Sequence, residues 1–219
     1  MKENYIKQLE DTISKFMAPI RDVPFPVAIK AISGHKVLPF DKNSEEDRKL
    51  LEKLKTAAQI AGSEANKAGF ERNRPNEVGN DIEPYVKKAL SQVGLKAETP
   101  KNLKGQRQGP AYPDIEITEP NGRITYLECK TYNIRNISTN QRAFYFSPSV
   151  KITHDARHLL LSYQIERIQR VAKMVFVPVH WRIYTIDDLL VSVKHEFNAS
   201  NRDMYRTEAL LAESSIKGK

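Results

Sequence analysis

The 219-residue chain has one cysteine, Cys129, so no internal disulfide can form and a reducing compartment is its natural setting. Histidine is scarce as well. The five present are scattered, and with one thiol they supply no ligand set for a structural zinc site. No apolar run approaches the length of a membrane span. The opening "MKENYIKQLE" lacks the apolar core of a secretory signal. Neither an internal repeat nor a low-complexity segment is found. These absences point to a cytoplasmic protein that stays off the membrane.

What the chain does contain is an ordinary apolar share of 40%, enough for a real core, and 35 basic against 27 acidic residues. The net charge of +8 and pI near 9.4 are spread along the chain rather than gathered in a tail. Such an excess suits a polyanionic partner, most often nucleic acid.

Residues 2–18 place Tyr5, Ile6, Leu9, Ile13, Phe16 and Met17 at helical spacing. The segment 44–62 reads as a second helix, capped by Ser44, acidic in its first turn and stopped by Gly62. A polar bridge leads to "DIEPYVKKALSQVGL", a helix with Pro84 in its first turn and Gly94 at its end. A basic loop, "KNLKGQRQGPA", precedes two alternating segments joined at Asn121-Gly122, which predict a β-hairpin. Further on, a short strand is expected around 143–146 and a helix opening at "THDARHLLLS" with Thr153 as cap. Residues 172–186 form a β-rich run, and "DDLLVSVKHEF" reads as a last helix. The pattern is α/β (α+β), a central mixed sheet flanked by helices. It is divided as a helical subdomain at 1–74, a core at 75–197 and a polar extension at 198–219.

The hairpin carries the chemistry. In "YPDIEITEPNGRITYLECK", Glu128 and Lys130 lie two apart and share one strand face, while Leu127 and Cys129 face the interior. The turn can set Asp114 beside Glu128 across the ladder. Two carboxylates then converge with an ammonium next to them. Hard divalent cations take such oxygen ligands together with water and phosphate oxygens, and a cation held there can polarise a phosphoryl group. An ammonium between two carboxylates stays charged until a metal offsets their field.

Pro113-Asp114, thirteen intervening residues, then Glu128-Cys129-Lys130 resembles the PD-(D/E)xK nuclease superfamily, in particular small type II restriction endonucleases. The resemblance covers roughly residues 75–195. It implies a restriction-endonuclease-like core with an added N-terminal helical subdomain. It also implies Mg²⁺ on Asp114 and Glu128, with Lys130 assisting the attack of water on a DNA phosphodiester. Many members add an acid from a preceding helix, and Glu83 is the residue chosen over Glu77. Pro84, directly after it, departs from the family's pattern. The expected activity is Mg²⁺-dependent cleavage of double-stranded DNA at a short palindrome, in the cytoplasm of a bacterium or archaeon. Cutting both strands implies a homodimer, although no sequence feature shows one. Two alternatives stand beside this: a structure-specific or repair nuclease on the same core, and a basic DNA-binding module without catalysis.

Base reading calls for side chains that pair with base edges. "TYNIRNISTNQRAFYF" supplies Asn133, Arg135, Asn140, Gln141 and Arg142. Lys151, His154 and Arg157, around the expected helix start, and Lys104 and Arg107 in the basic loop are assigned to DNA phosphates. Phe176, Trp181 and Tyr184 are expected in the core.

Overall fold

The computed structural model describes residues 2–74, 77–102, 104–107, 112–136, 151–171, 173–194, 200 and 210–212. In chain order the elements are α1 (Lys2–Met17), β1 (Ile20–Pro24), α2 (Phe25–Ser33), β2 (Val37–Leu38), α3 (Glu45–Ala68) and α4 (Val78–Gln92). After them come β3 (Lys96–Glu98), β4 (Ile115–Thr118), β5 (Ile124–Tyr132), β6 (Ala156–Arg170), β7 (Lys173–Thr185) and β8 (Leu190–Val193).

Two compact units form, one from residues 1–23 with 191–219 and one from residues 24–190. In the first, α1 is amphipathic as its spacing predicts, and Tyr5, Ile6, Leu9 and Ile13 on it are exposed. Strands β1 and β8 pair in a two-stranded sheet.

The second unit is built on a six-stranded mixed sheet in the order β2-β6-β5-β4-β3, with β7 also paired to β6. Strand β6 runs parallel to β2 and β5, while β3, β4 and β7 pair antiparallel with their neighbours. Leu127 and Cys129 of β5 share a face with Leu159, Leu161 and Tyr163 of β6, and that face packs on α3 and α4. From the helices come Leu50, Leu54, Ala57, Ala58 and Ala61, and Val78, Ile82, Val86, Ala89 and Leu90. Each fully buried Leu or Ile there contributes roughly 1.5–3 kcal/mol. On the opposite face, Phe25 of α2 packs with Tyr112 and His158, and the Tyr126 ring also meets His158.

The helices expected at 44–62 and along "DIEPYVKKALSQVGL" are present, with altered limits. Ser44 caps α3 by accepting the Asp47 amide at 3.4 Å. Gly62 does not stop α3, which runs on to Ala68. A Cβ at Gly62 would lie 3.0 Å from the Tyr163 ring, so this glycine serves close packing of the helix on the sheet. Helix α4 begins at Val78, which puts Pro84 in its interior rather than its first turn. Gly94, at φ 76°, follows the end of that helix as expected.

"THDARHLLLS" is not a helix opening. It enters β6, a strand covered on both faces over much of its length, whose Leu159-Leu160-Leu161 run lacks the alternation of a half-exposed strand. "DDLLVSVKHEF" likewise gives β8, where Val191 and Val193 favour extended backbone. The strand expected at 143–146 lies outside the described residues. Helix α3, within the expected helical subdomain at 1–74, shares one core with α4 and the sheet.

Candidate active site

The hairpin forms in the register that its alternation predicts: Ile115 pairs with Leu127 and Glu116 with Tyr126. Asp114, just before β4, therefore arrives beside Glu128. Its Oδ2 accepts the Cys129 amide at 2.9 Å, which ties the carboxylate to β5. Glu128 is 3% exposed, and its Oε1 lies 2.6 Å from Lys130 Nζ. Its other oxygen, Oε2, is buried without a hydrogen-bond partner.

The electrostatics follow from burial of like charges. Desolvation, joined by the neighbouring Asp114 carboxylate, pushes Glu128 up to about 7. Burial raises Asp114 too, against the opposing pull of the Cys129 amide and Lys130, and with a further push from Glu83. Burial works against the charge on Lys130, but Glu128 and Asp114 outweigh it and hold the ammonium above its ordinary range. Lys130 is thus charged without metal, as expected.

An unpartnered buried carboxylate oxygen beside a second carboxylate is a donor set that fits a hard divalent cation, which commonly takes one or two protein carboxylates and fills its shell with water and phosphate oxygens. Among the described residues, no group of three His, Cys, Asp or Glu side chains is gathered for a metal. Glu83 faces the same region, since its charge acts on Asp114, but its carboxylate is paired with Lys87 at 2.5 Å. Glu77, its rival from the sequence, acts instead on Arg72.

Several residues assigned to DNA stand elsewhere. Lys151 is fully buried; its Nζ donates to the Pro113 carbonyl at 3.2 Å, and its charge acts on Asp114, Glu128 and Glu83. It belongs behind the site rather than on a DNA-facing surface. Arg157 Nε donates to the Asp47 carboxylate at 2.8 Å, and Arg123 donates to the same group. Asp47 is wholly buried, so Arg157 neutralises a core carboxylate. Burial alone would raise Asp47, but the Asp41 amide and the two guanidiniums hold it below its ordinary value. No helix begins here to bind a phosphate.

Others lie where solvent reaches them. His154 is exposed beside Thr153, and Lys104 is exposed in a turn organised by Asn102. Arg107 is exposed and paired with Glu98 at 3.3 Å. Asn133 is half-buried and accepts the amide of the exposed Arg135. Asn140, Gln141 and Arg142 lie outside the described residues. His158 is structural: buried and bonded to Tyr112 Oη at 2.5 Å, it is driven down to about 3 by desolvation. Phe176 is in the core and Trp181 is half-buried on it, but Tyr184 is 42% exposed on the other face.

Sequence reading missed the residues that strand pairing adds to the Glu128–Lys130 face. Tyr132, Gln164, His180 and Arg182 come from three strands and are aligned only by the register across β5, β6 and β7. No local pattern marks them. Arg182 lies 5.6 Å from the centre of the Tyr132 ring.

Comparison with known proteins bears on what this arrangement serves. The family described as "Type II restriction enzyme MjaV family" matches residues 19–208. The type II restriction enzyme MjaV of Methanocaldococcus jannaschii is 36% identical over 232 residues, spanning 98% of this chain and 99% of that protein. The crystal structure of the tetrameric restriction endonuclease SfiI bound to cognate DNA superposes over 66% of each chain, with a TM-score of 0.36 and 13% identity. That likeness is too slight to bear on the site.

Proposed function

Because the chain belongs to the type II restriction enzyme MjaV family, we propose that this DNA endonuclease hydrolyses both strands of a short palindrome with Mg²⁺ held by Asp114 and Glu128. The observation that supports this reading is the buried, unpartnered Oε2 of Glu128 beside Asp114. When bound, the cation polarises the phosphoryl group and lowers the pKa of a water molecule.

The chain's own residues do the rest. The Cys129 amide and the Pro113–Lys151 contact hold the Asp114 segment against β5. Burial keeps bulk water from the Glu128 carboxylate, which strengthens its pull on a cation. Lys130, held charged by the two carboxylates, orients water and stabilises negative charge developing on the phosphate. Glu83 stands close enough to act on this field but is engaged by Lys87, so its part is a secondary one.

One such site cuts one strand, so cleavage of both strands of a palindrome calls for a homodimer. A cytoplasmic home accords with this function, and no helix among the described residues is long and apolar enough to cross a membrane.

The test is digestion of a plasmid of known sequence with Mg²⁺ and with EDTA, followed by sequencing of the fragment ends. Discrete Mg²⁺-dependent fragments sharing one palindrome are expected. Cleavage confined to junctions or mismatches would replace the proposal with a structure-specific nuclease.

A further inference from the structure

We infer that the sheet face carrying Glu128 and Lys130 continues across β6 onto β7 as a surface for the DNA phosphate backbone, with Arg182 as its principal anchor. The inference rests on the endonuclease reading and extends it to residues outside the hairpin.

Residues paired across a ladder share a face of the sheet. Parallel pairing sets Lys130 beside Ser162 and Tyr132 beside Gln164. Antiparallel pairing then sets Ser162 beside Arg182, Gln164 beside His180 and Leu160 beside Tyr184. One row therefore runs Lys130, Ser162, Arg182 over three adjacent strands. At ordinary strand spacing it spans about 10 Å, the rise of roughly three nucleotides along a strand.

The other face is closed, since Tyr163, Trp181 and Ile183 turn toward α3 and α4. The Glu128–Lys130 face opens toward β7: Ser162 is buried in the middle of the row, but Lys130 and Arg182 at its ends are half-exposed, and His180 and Tyr184 on the flanking rows are exposed. Its chemistry suits an anion. Arg157 is paired with Asp47 and Arg123 with Asp47 and Glu119, but Arg182 enters no ion pair among the described residues. It rests on the Tyr132 ring instead, with Tyr184 close enough to help hold its charge. An arginine placed on an aromatic face keeps its full charge and further N–H donors for a phosphate. Glu166, an acid on the same face, is engaged by Gln164 Nε2 at 3.2 Å. Continuity with the row of Lys130 and the absence of a carboxylate partner make the DNA backbone the occupant.

The test compares duplex binding by fluorescence anisotropy in EDTA across a salt series, using one duplex with the palindrome found by plasmid digestion and one without. Arg182→Ala should bind both duplexes about ten-fold more weakly, with the salt slope reduced by about one. Arg182→Lys should recover part of the loss. Lys173→Ala removes the same charge at the far end of β7, where it is paired with Glu71 at 2.9 Å, and should stay within about two-fold of the parent. In cleavage, KM should rise more than kcat falls for Arg182→Ala.

Equal affinity and slope in Arg182→Ala, or an equal loss in Lys173→Ala, would overturn the inference. Should Arg182→Ala fail to fold by circular dichroism, Tyr132→Leu carries the test, because it removes the ring beneath a retained arginine. It should weaken both duplexes alike, and unchanged binding would again overturn the inference. These are binding measurements, so they stand apart from plasmid cleavage by the parent protein, which tests the endonuclease reading itself.

Discussion

At the scale of single residues, the site concentrates its cost in one buried carboxylate. Lys130→Ala should abolish cutting while leaving specific DNA binding largely intact, as judged by plasmid digestion and anisotropy on the same preparation. Asp114→Ala should also abolish cutting and should weaken the metal dependence of binding. Normal cleavage by the Asp114 variant would remove it from the site.

Two buried groups also set opposed pH dependences of stability. The folded pKa of Glu128 is raised from 4.5 to about 7, so its contribution is present at low pH and is lost as pH rises through that window. The folded pKa of His158 is lowered from 6.5 to about 3, so its contribution is present above 6.5 and is lost as pH falls. Each is worth on the order of a few kcal/mol. In metal-free protein the two slopes oppose one another between about pH 4.5 and 6.5. Urea unfolding across that range should be shallow for the parent, should fall more steeply toward acid in Glu128→Gln, and should fall toward neutral pH in His158→Gln.

At the scale of elements, legibility depended on how many faces of a segment were buried. The hairpin was readable because β4 has one alternating buried face and its turn residues are strong signals. Strand β6 was not, since its three consecutive leucines, two buried and one half-covered, show no alternation and periodicity cannot then separate strand from helix. The limits of α3 were missed because a glycine has two uses, ending a helix or admitting a neighbour, and only the packed Tyr163 ring shows which applies. That ring is fully buried and its hydroxyl bonds to the Ala58 carbonyl at 2.9 Å, so it has little room to yield. Gly62→Leu should therefore destabilise the fold by roughly 1–3 kcal/mol in urea titration, despite leucine's better helix propensity. Charged residues were the other limit. Arg157 carries the right charge for DNA, but whether its partner is a phosphate or a carboxylate depends on Asp47, which is distant in sequence. Asp114, Glu128 and Lys130 could be grouped from sequence because one short hairpin holds them all.

For the whole molecule, the proposed double-strand cut requires two active sites. If the proposed homodimer forms through α1, its exposed apolar residues Tyr5, Ile6, Leu9 and Ile13 are the ones to test. The protein should sediment at twice the 25.1 kDa of one chain. Leu9→Glu should shift it toward the monomer and convert plasmid linearisation into nicking. A monomeric parent that still linearises plasmid would exclude the dimer.

The hairpin also limits which changes of chain length the protein can survive. Strand β5 is held from both sides, antiparallel by β4 and parallel by β6. A single-residue deletion inside β5, ahead of Glu128, would turn that carboxylate and Lys130 into the helix-packed interior and bring Leu127 and Cys129 out in their place. The same deletion in the connection at 119–123 leaves every face as it was. Insertions and deletions in descendants of this gene should therefore gather at that connection, and the stretch from Ile124 to Tyr132 should keep its length even where its residues change.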